Sequence, residues 1–255
     1  MFIGDNMIDT HCHLIKRHYD NLDEVIKKME KHIIIISGYD EESNEEVIEL
    51  CNKYDNVFGT IGMHPSEADK TTDKNLDFIE NNINHPKIVA IGEIGLDYYW
   101  TKETKEKQKE IFVKQIEIAK KYNKAIVVHS RDSINDIYEI LKDYDIKIIL
   151  HCFSSSVEMA KKFIKLGAKL GIGGVVTFDN AKTLKEVVKE INLKHLVLET
   201  DSPYLSPSRG KKNEPYNILY IAETIAKIKG IDVSLVIETT TNNAKHQFDL
   251  KSKMC

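Results

Sequence analysis

The sequence predicts a (β/α)8 TIM barrel, an α/β fold made as a single domain over residues 1–255. Three observations carry the prediction. Eight short runs rich in Ile and Val recur along the chain, helical patterns lie between them, and histidines and carboxylates gather at the C-terminal ends of the runs. A chain of 255 residues suits one such barrel, because barrels reach this length without dividing. An open doubly wound sheet is the competing arrangement of the same elements.

The runs are "NMIDTH", "HIIIIS", "NVFGTIGMH", "KIVAIGEIG", "KAIVVHS", "KIILHCF", "AKLGIGG" and "HLVLETD". Most are continuously apolar, as parallel strands covered on both faces require, whereas a sheet with one wet face would alternate. Leu22, Val25, Ile26 and Met29 then stand at i, i+3, i+4 and i+7. Val47, Leu50, Cys51 and Tyr54 repeat this spacing, as do Ile134, Ile137, Tyr138 and Leu141. Each set forms one apolar stripe on a helix. After the eighth run comes "SPYLSPSRGKKNEP", a loop at the end where barrel enzymes carry their chemistry. "NILYIAETIAKIKG" and "SLVIETTTNNAKHQF" read as helices that close the barrel, and no linker, low-complexity tract or repeat marks a domain boundary.

With 42% hydrophobic and 30% charged residues the composition is that of an ordinary globular protein, and no membrane class is implied. The net charge of −4 argues against non-specific attachment along a nucleic-acid backbone, which needs clustered cations. It leaves open a nucleic acid held at one centre. Lysines in segments such as "TKETKEKQKEIFVKQ" read as a solvated helix face. Cys12, Cys51, Cys152 and Cys255 show no CxxC pairing, so reduced thiols are expected. "MFIGDNMIDTHCHL" shows no basic leader with a cleavage site, and the expected location is cytoplasmic.

The polar residues single out one rim. His11 and His13 close the first run, His64 the third, Glu93 the fourth, His129 the fifth, His151 the sixth, and Glu199 with Asp201 the eighth. Strands of such barrels deliver catalytic residues at this edge. The strand period of two turns His11 and His13 to one face and Cys12 to the other. One His-x-His alone proves little, since ten histidines in 255 residues give about 0.4 such pairs by chance. The added carboxylates and imidazoles shift the balance: uncompensated, they would be costly to desolvate, and divalent cations would neutralise them. Nitrogen with carboxylate donors suits Zn, Mn, Co or Ni (or iron) better than Ca, with Mg a weaker fit. One carboxylate can bridge two ions, and Glu93, midway in the strand order, is the natural bridge.

The motifs "DTHCHL", "IGMHPSE", "GEIGLDYYW", "VVHSRDS", "LHCFSSS", "ETDSPYLSP" and "RGKKNEP", in this order over essentially the whole chain, resemble the TatD family of metal-dependent hydrolases, within the amidohydrolase-like superfamily. The resemblance implies a two-metal site and a DNase or broader phosphodiesterase activity, often written as removal of nucleotides from a 3′ end, with nucleic acid, above all single-stranded DNA ends, as substrate and no stable protein partner. It also implies His11, His13, Glu93 and Asp201 around one ion, and Glu93, His129 and His151 around the second.

Asp201 is then both ligand and proton acceptor. Glu199 and Asp9 share the parity of neighbouring ligands: Asp9 either accepts an imidazole N–H or is a buried, otherwise satisfied aspartate, and Glu199 either supports Asp201 or contacts substrate. His64, on the rim outside the implied ligand set, is expected to meet phosphate or water. Arg131 and Arg209 are candidates for bidentate phosphate contacts. Of Tyr98, Tyr99 and Trp100, at least two are expected to pack under a loop, although an aromatic there can also stack on a base. Cys12 and Cys152 have the parity of barrel-wall thiols. Two other functions fit the same pattern: hydrolysis of a carboxylic ester, amide or lactone, such as deacylation of a D-aminoacyl-tRNA, and a non-catalytic binding protein with structural metals.

Overall fold

The computed structural model describes residues 7–208 and 210–250. Eight parallel strands stand side by side in sequence order: β1 (Ile8–Cys12), β2 (Ile33–Ser37), β3 (Val57–Ile61), β4 (Ile88–Asp97), β5 (Ala125–Arg131), β6 (Ile148–Leu150), β7 (Lys169–Ile172) and β8 (Leu196–Leu198). The ring closes just above the last strand. Thr10 Oγ1 donates to Leu198 O at 2.9 Å, Asp201 N to His11 O at 2.9 Å, and His13 N to Ser202 O at 2.7 Å. This order and closure establish the (β/α)8 TIM barrel and set aside the doubly wound sheet, whose strand order must reverse.

Between the strands run α1 (Leu22–Lys27), α2 (Glu41–Lys53), α3 (Asp73–Asn82), α4 (Lys105–Lys121), α5 (Ile134–Leu141), α6 (Val157–Lys165) and α7 (Lys182–Glu190), with α8 (Ile218–Lys229) and α9 (Val233–Gln247) after β8. Local chemistry sets several starts. Asp40 caps α2 by accepting from Ser43 N, and Ser156 and Asp232 cap α6 and α9 likewise. The expected apolar stripes at Leu22, Val47 and Ile137 are buried where α1, α2 and α5 meet the barrel.

Two apolar layers follow from the strand period. Ile34, Ile36, Ile126 and Val128 point outward into the large core shared with the helices. Ile33, Ile35, Ala125 and Val127 point inward and meet Phe58, Ile149 and Val197 inside the barrel. Ala244, Phe248 and Leu250, from α9 and the residues after it, join this inner cluster. Gln247 Nε2 donates to Ile148 O at 3.0 Å, and Asn243 Nδ2 to Leu193 O and Leu196 O at 2.9 and 2.7 Å. The C-terminal helix therefore seals the N-terminal end of the barrel, leaving the opposite end for the polar residues. Among the described residues no helix is long and apolar enough to cross a membrane.

Candidate metal centre and its cleft

The eight polar positions read from the sequence converge at the open end, although several stand just beyond their strands. His13, His64, His151, Glu199 and Asp201 follow β1, β3, β6 and β8, while His129 lies within β5 and Glu93 in the middle of β4. β4 reaches past Glu93 because its pairing with β5 shifts register between Ile91 and Ile94 and then continues to Asp97. The continuation requires glycine at Gly95, where φ is +143° and a Cβ would come within 2.0 Å of His129 O.

Around Glu93 the donor atoms crowd together. His11 Nε2 and His13 Nε2 are 3.2 Å apart. Glu93 Oε2 lies 3.4 Å from both, and Asp201 Oδ1 is 3.7 and 3.4 Å from them. On the other side, Glu93 Oε1 lies 2.8 Å from His129 Nδ1, 3.5 Å from His151 Nε2 and 3.7 Å from His64 Nε2. The two oxygens of one carboxylate thus face two separate groups of imidazoles.

The outer nitrogens decide what the inner ones can do. His13 Nδ1 donates to Ser37 O at 3.0 Å, which leaves its Nε2 a lone pair. His129 Nε2 donates to Asp97 Oδ2 at 3.0 Å, so its Nδ1 turns a lone pair toward Glu93. Ser37 Oγ sits 3.0 Å from His11 Nδ1, and His151 Nδ1 lies 3.1 Å from Glu199 Oε1. Lone pairs aimed at buried carboxylates need positive charge between them, supplied by extra protons or by cations.

The ion-free electrostatics show that demand. His13 is pushed up to about 10: burial opposes protonation, but Asp201 and Glu93 outweigh it. His151 rises to about 9 against the same burial, through Glu199, Glu93 and Asp201. His11 is lowered by burial and by the charge of His151, on which it stacks at 3.7 Å between centroids. Despite full burial, Glu93 is held well below the usual carboxylate range by His151, His11 and His64. The described residues contain three donor sets around these atoms that can hold a metal ion: His11, His13 and Glu93; His11, His151 and Asp201; and His64, Glu93 and His129. Nitrogen and oxygen donors, with the outer nitrogens of His11, His13 and His129 anchored and His151 Nδ1 facing Glu199 without a hydrogen bond, fit divalent transition metals.

His64 enters the third set, a proximity the sequence did not reveal. Its Nδ1 accepts Ser66 N–H at 3.1 Å, which places the neutral ring's proton on Nε2, facing the site as a donor. Burial, with the nearby His129 charge, lowers it to about 3 and keeps it neutral.

Several supporting roles differ from expectation. Asp9 touches no imidazole and is instead the buried, satisfied aspartate that the sequence equally allowed. Its Oδ2 accepts from Thr200 Oγ1 at 2.6 Å, and its Oδ1 from Thr200 N at 2.9 Å and His11 N at 3.3 Å, because β1 shifts register between Asp9 and Cys12 and breaks the parity with His11. Ser37 holds the rings instead. Glu199 is fully buried behind His151, its Oε1 accepting Cys152 N–H at 2.5 Å while its Oε2 has no hydrogen-bond partner. Space for that carboxylate depends on Gly171, where a Cβ would lie 2.2 Å from Oε2. Cys12 is a wall thiol, as expected, within the helix-side core. Cys152 is not: β6 ends at Leu150 and Cys152 has φ +46°, so strand parity does not govern it. It lines the cleft, and its Sγ approaches His151 and Glu199.

The most informative omission from the sequence reading is Asp97. It is 2% exposed, and while Oδ2 accepts from His129, Oδ1 accepts Tyr99 N–H and Trp100 N–H at 3.0 and 2.9 Å. Its spacing of 93, 95, 97 along one strand was the available signal. Beyond it the expectation of packed aromatics fails for two of three. Tyr98 is buried and donates to Asp136 Oδ2 at 2.7 Å, but Tyr99 and Trp100 are 55% and 67% exposed. The turn that Asp97 caps aims them outward. A cleft of about 760 Å³ opens over the cluster, lined among others by Glu93, His129, Asp201, Arg131, Trp100 and Tyr204. Arg209 lies outside the described residues.

A closed α/β barrel whose C-terminal rim concentrates imidazoles around a shared carboxylate defines a barrel enzyme of the metal-dependent hydrolase class. A sequence profile of the TatD related DNase family matches residues 8–249, and the chain belongs to that family. It is 43% identical over 251 residues to YabD of Bacillus subtilis, named an uncharacterized metal-dependent hydrolase, covering 95% of this chain and 98% of the relative. It is 34% identical to human deoxyribonuclease TATDN3, covering 96% and 95%. Among solved structures, YJJV, a TatD homolog from Escherichia coli, superposes with a TM-score of 0.90 at 26% identity, covering 95% of this chain and 98% of the other.

Proposed function

We propose that this metal-dependent hydrolase cleaves phosphodiester bonds of nucleic acid, acting as a deoxyribonuclease on single-stranded DNA from the 3′ end. One observation carries the reading: Glu93 turns Oε2 to His11 and His13 and Oε1 to His129 and His151, a geometry suited to two cations. His11, His13, Glu93 and Asp201 would hold the first, and Glu93, His129 and His151 the second, with Zn, Mn, Co or Ni ahead of Mg. Bound there, such ions lower the pKa of water and withdraw charge from phosphoryl oxygens.

The chain's own groups supply the remainder. Asp201 has the most open carboxylate of the cluster, with its side chain 13% exposed against 4% for Glu93, and it accepts the proton of the attacking water. His64, with its Nε2–H turned to the site, donates to a non-bridging phosphate oxygen. Arg131 on the cleft wall pairs with a flanking phosphate, and Arg209, outside the described residues, is the second cation proposed for that role. Glu199 touches no substrate; it orients His151 and balances its charge.

The test is turnover of end-labelled single strands by wild-type enzyme, EDTA-stripped enzyme, re-loaded enzyme and a His11→Ala/His13→Ala variant. Activity and metal content fall together on stripping and in the variant, and only the wild type recovers on re-loading. Undiminished strand cleavage by the variant, or a preference of the loaded enzyme for aminoacyl esters over phosphodiesters, overturns the reading.

A further inference from the structure

The aromatics near the centre fall into two groups that the topology separates. Tyr99 and Trp100 follow β4, and Arg131 ends β5. Arg131 Cζ stands 4.2 Å from the Tyr99 centroid and 5.3 Å from that of Trp100, and the two rings meet edge to face at 4.7 Å. Tyr204 follows β8, 50% exposed, its ring 6.0 Å from His13 and 5.8 Å from His18. Tyr39, after β2, meets His13 at 5.2 Å and carries Arg17 Cζ over its face at 4.7 Å. With strands ordered one to eight around the ring, the β4–β5 side lies diametrically across from the β8–β1 side. Glu93 and its imidazoles lie between, and Trp100 and Tyr204 line the same cleft.

Both groups are fixed in place rather than draped over the surface. Asp97 holds the Tyr99 and Trp100 amides, and Gln108 Nε2 donates to Asp97 O and Thr101 O at 3.0 and 2.7 Å. Opposite, buried Asn213 donates to Thr200 O and Tyr204 O at 2.9 and 2.7 Å, and Tyr204 N donates to Asp201 O at 2.9 Å. One lip is thereby tied to the Asp97 carboxylate and the other to the main-chain carbonyl of Asp201.

We propose that these lips are two base-stacking platforms, Trp100 with Tyr99 and Arg131 on one side and Tyr204 with Tyr39 on the other, which grip unpaired nucleobases flanking the phosphodiester at the centre. The inference rests on the nucleic-acid reading above and adds its recognition mode. Trp100 and Tyr204 present solvent-facing π-faces that any base can cover, and Arg131 beside Trp100 matches the strand's negative charge, whereas half-buried Tyr39 carries Arg17, which is paired with Asp40 at 2.7 Å. Bases inside a duplex have both faces covered by their stacked neighbours, so the strand must be unstacked and single at both positions. A productive substrate accordingly carries a base on each side of the cleaved bond.

Trp100 is the only tryptophan of the chain, so its emission reports one lip directly. The metal-loaded enzyme is titrated with a phosphorothioate hexathymidylate and with an abasic strand of equal length and charge. Saturable quenching by the first and none by the second is expected. On cleavable single strands, Trp100→Ala and Tyr204→Ala each raise KM roughly 5- to 100-fold with kcat little changed, and Trp100→Phe restores most of the loss. Equal quenching by both strands, or unchanged KM in both alanine variants, overturns the proposal. Its fate is separable from that of the nuclease reading. Base-dependent quenching without strand cleavage leaves the platforms standing while the nuclease assignment falls, and cleavage without quenching or KM change does the reverse.

Discussion

The two ends of the barrel are made from the same strands and bury opposite chemistry. At the N-terminal end, Ile33, Ile35, Phe58 and Val197 pack against Ala244, Phe248 and Leu250, and every inward side chain adds to stability. At the C-terminal rim, Glu93, Asp201, Glu199, Asp97 and the imidazoles of His11, His13 and His151 are taken from water, an arrangement that is costly without compensating cations. β2 shows the change within five residues, running from Ile33 and Ile35 to Ser37, which positions two imidazoles. One end holds the fold together, and the other draws on that stability to keep a reactive cluster assembled.

If the division is real, substitutions at the two ends separate activity from stability. The largest effect falls on Glu93→Gln. Turnover drops by about 10³-fold or more and bound metal is lost, as activity assays and metal analysis read side by side. Phe248→Ala does the converse. It costs about 3–5 kcal/mol of unfolding free energy, leaving kcat per folded molecule unaltered in a stopped assay well below the melting range.

Asp97→Asn sharpens the contrast at the rim itself. The amide keeps its oxygen for the Tyr99 and Trp100 N–H groups but turns its NH2, a donor, toward His129 Nε2–H, which loses its acceptor, so metal affinity or kcat falls roughly 10- to 100-fold, read by metal titration. The smallest signal is protonic. His13 near 10 and His151 near 9 hold protons in the metal-free site at neutral pH, and cation loading must displace them. Calorimetry at pH 7.5 in buffers of different ionisation enthalpy then shows release of about two protons. The release diminishes as pH rises through 9 to 10, because the imidazoles have already given up their protons.

What could be read from the sequence followed from residue chemistry along single strands. The apolar runs placed β1 to β8, and His11, His13, Glu93, His129, His151 and Asp201 were recognisable because donors of those types at strand ends are otherwise costly to bury. The features missed depend on registers between strands. Ser37 meets His11 and His13 only through the pairing of β1 with β2, and Asp9 loses its expected ring because β1 shifts register before Cys12. Asp97 reaches His129 through β4 pairing with β5 in the stretch beyond the irregularity. The exposure of Tyr99 and Trp100 depends on a turn capped by that same carboxylate, and Cys152 escapes strand parity because β6 is only three residues long.

The most direct test of the central claim, that the buried rim cluster is assembled to hold paired divalent cations, is anomalous scattering from crystals of the manganese-loaded protein. The account predicts two peaks sharing Glu93, one among His11, His13 and Asp201 and the other beside His129 and His151. An active, metal-loaded crystal with no peak near Glu93, or with the ions bound elsewhere on the chain, would contradict it.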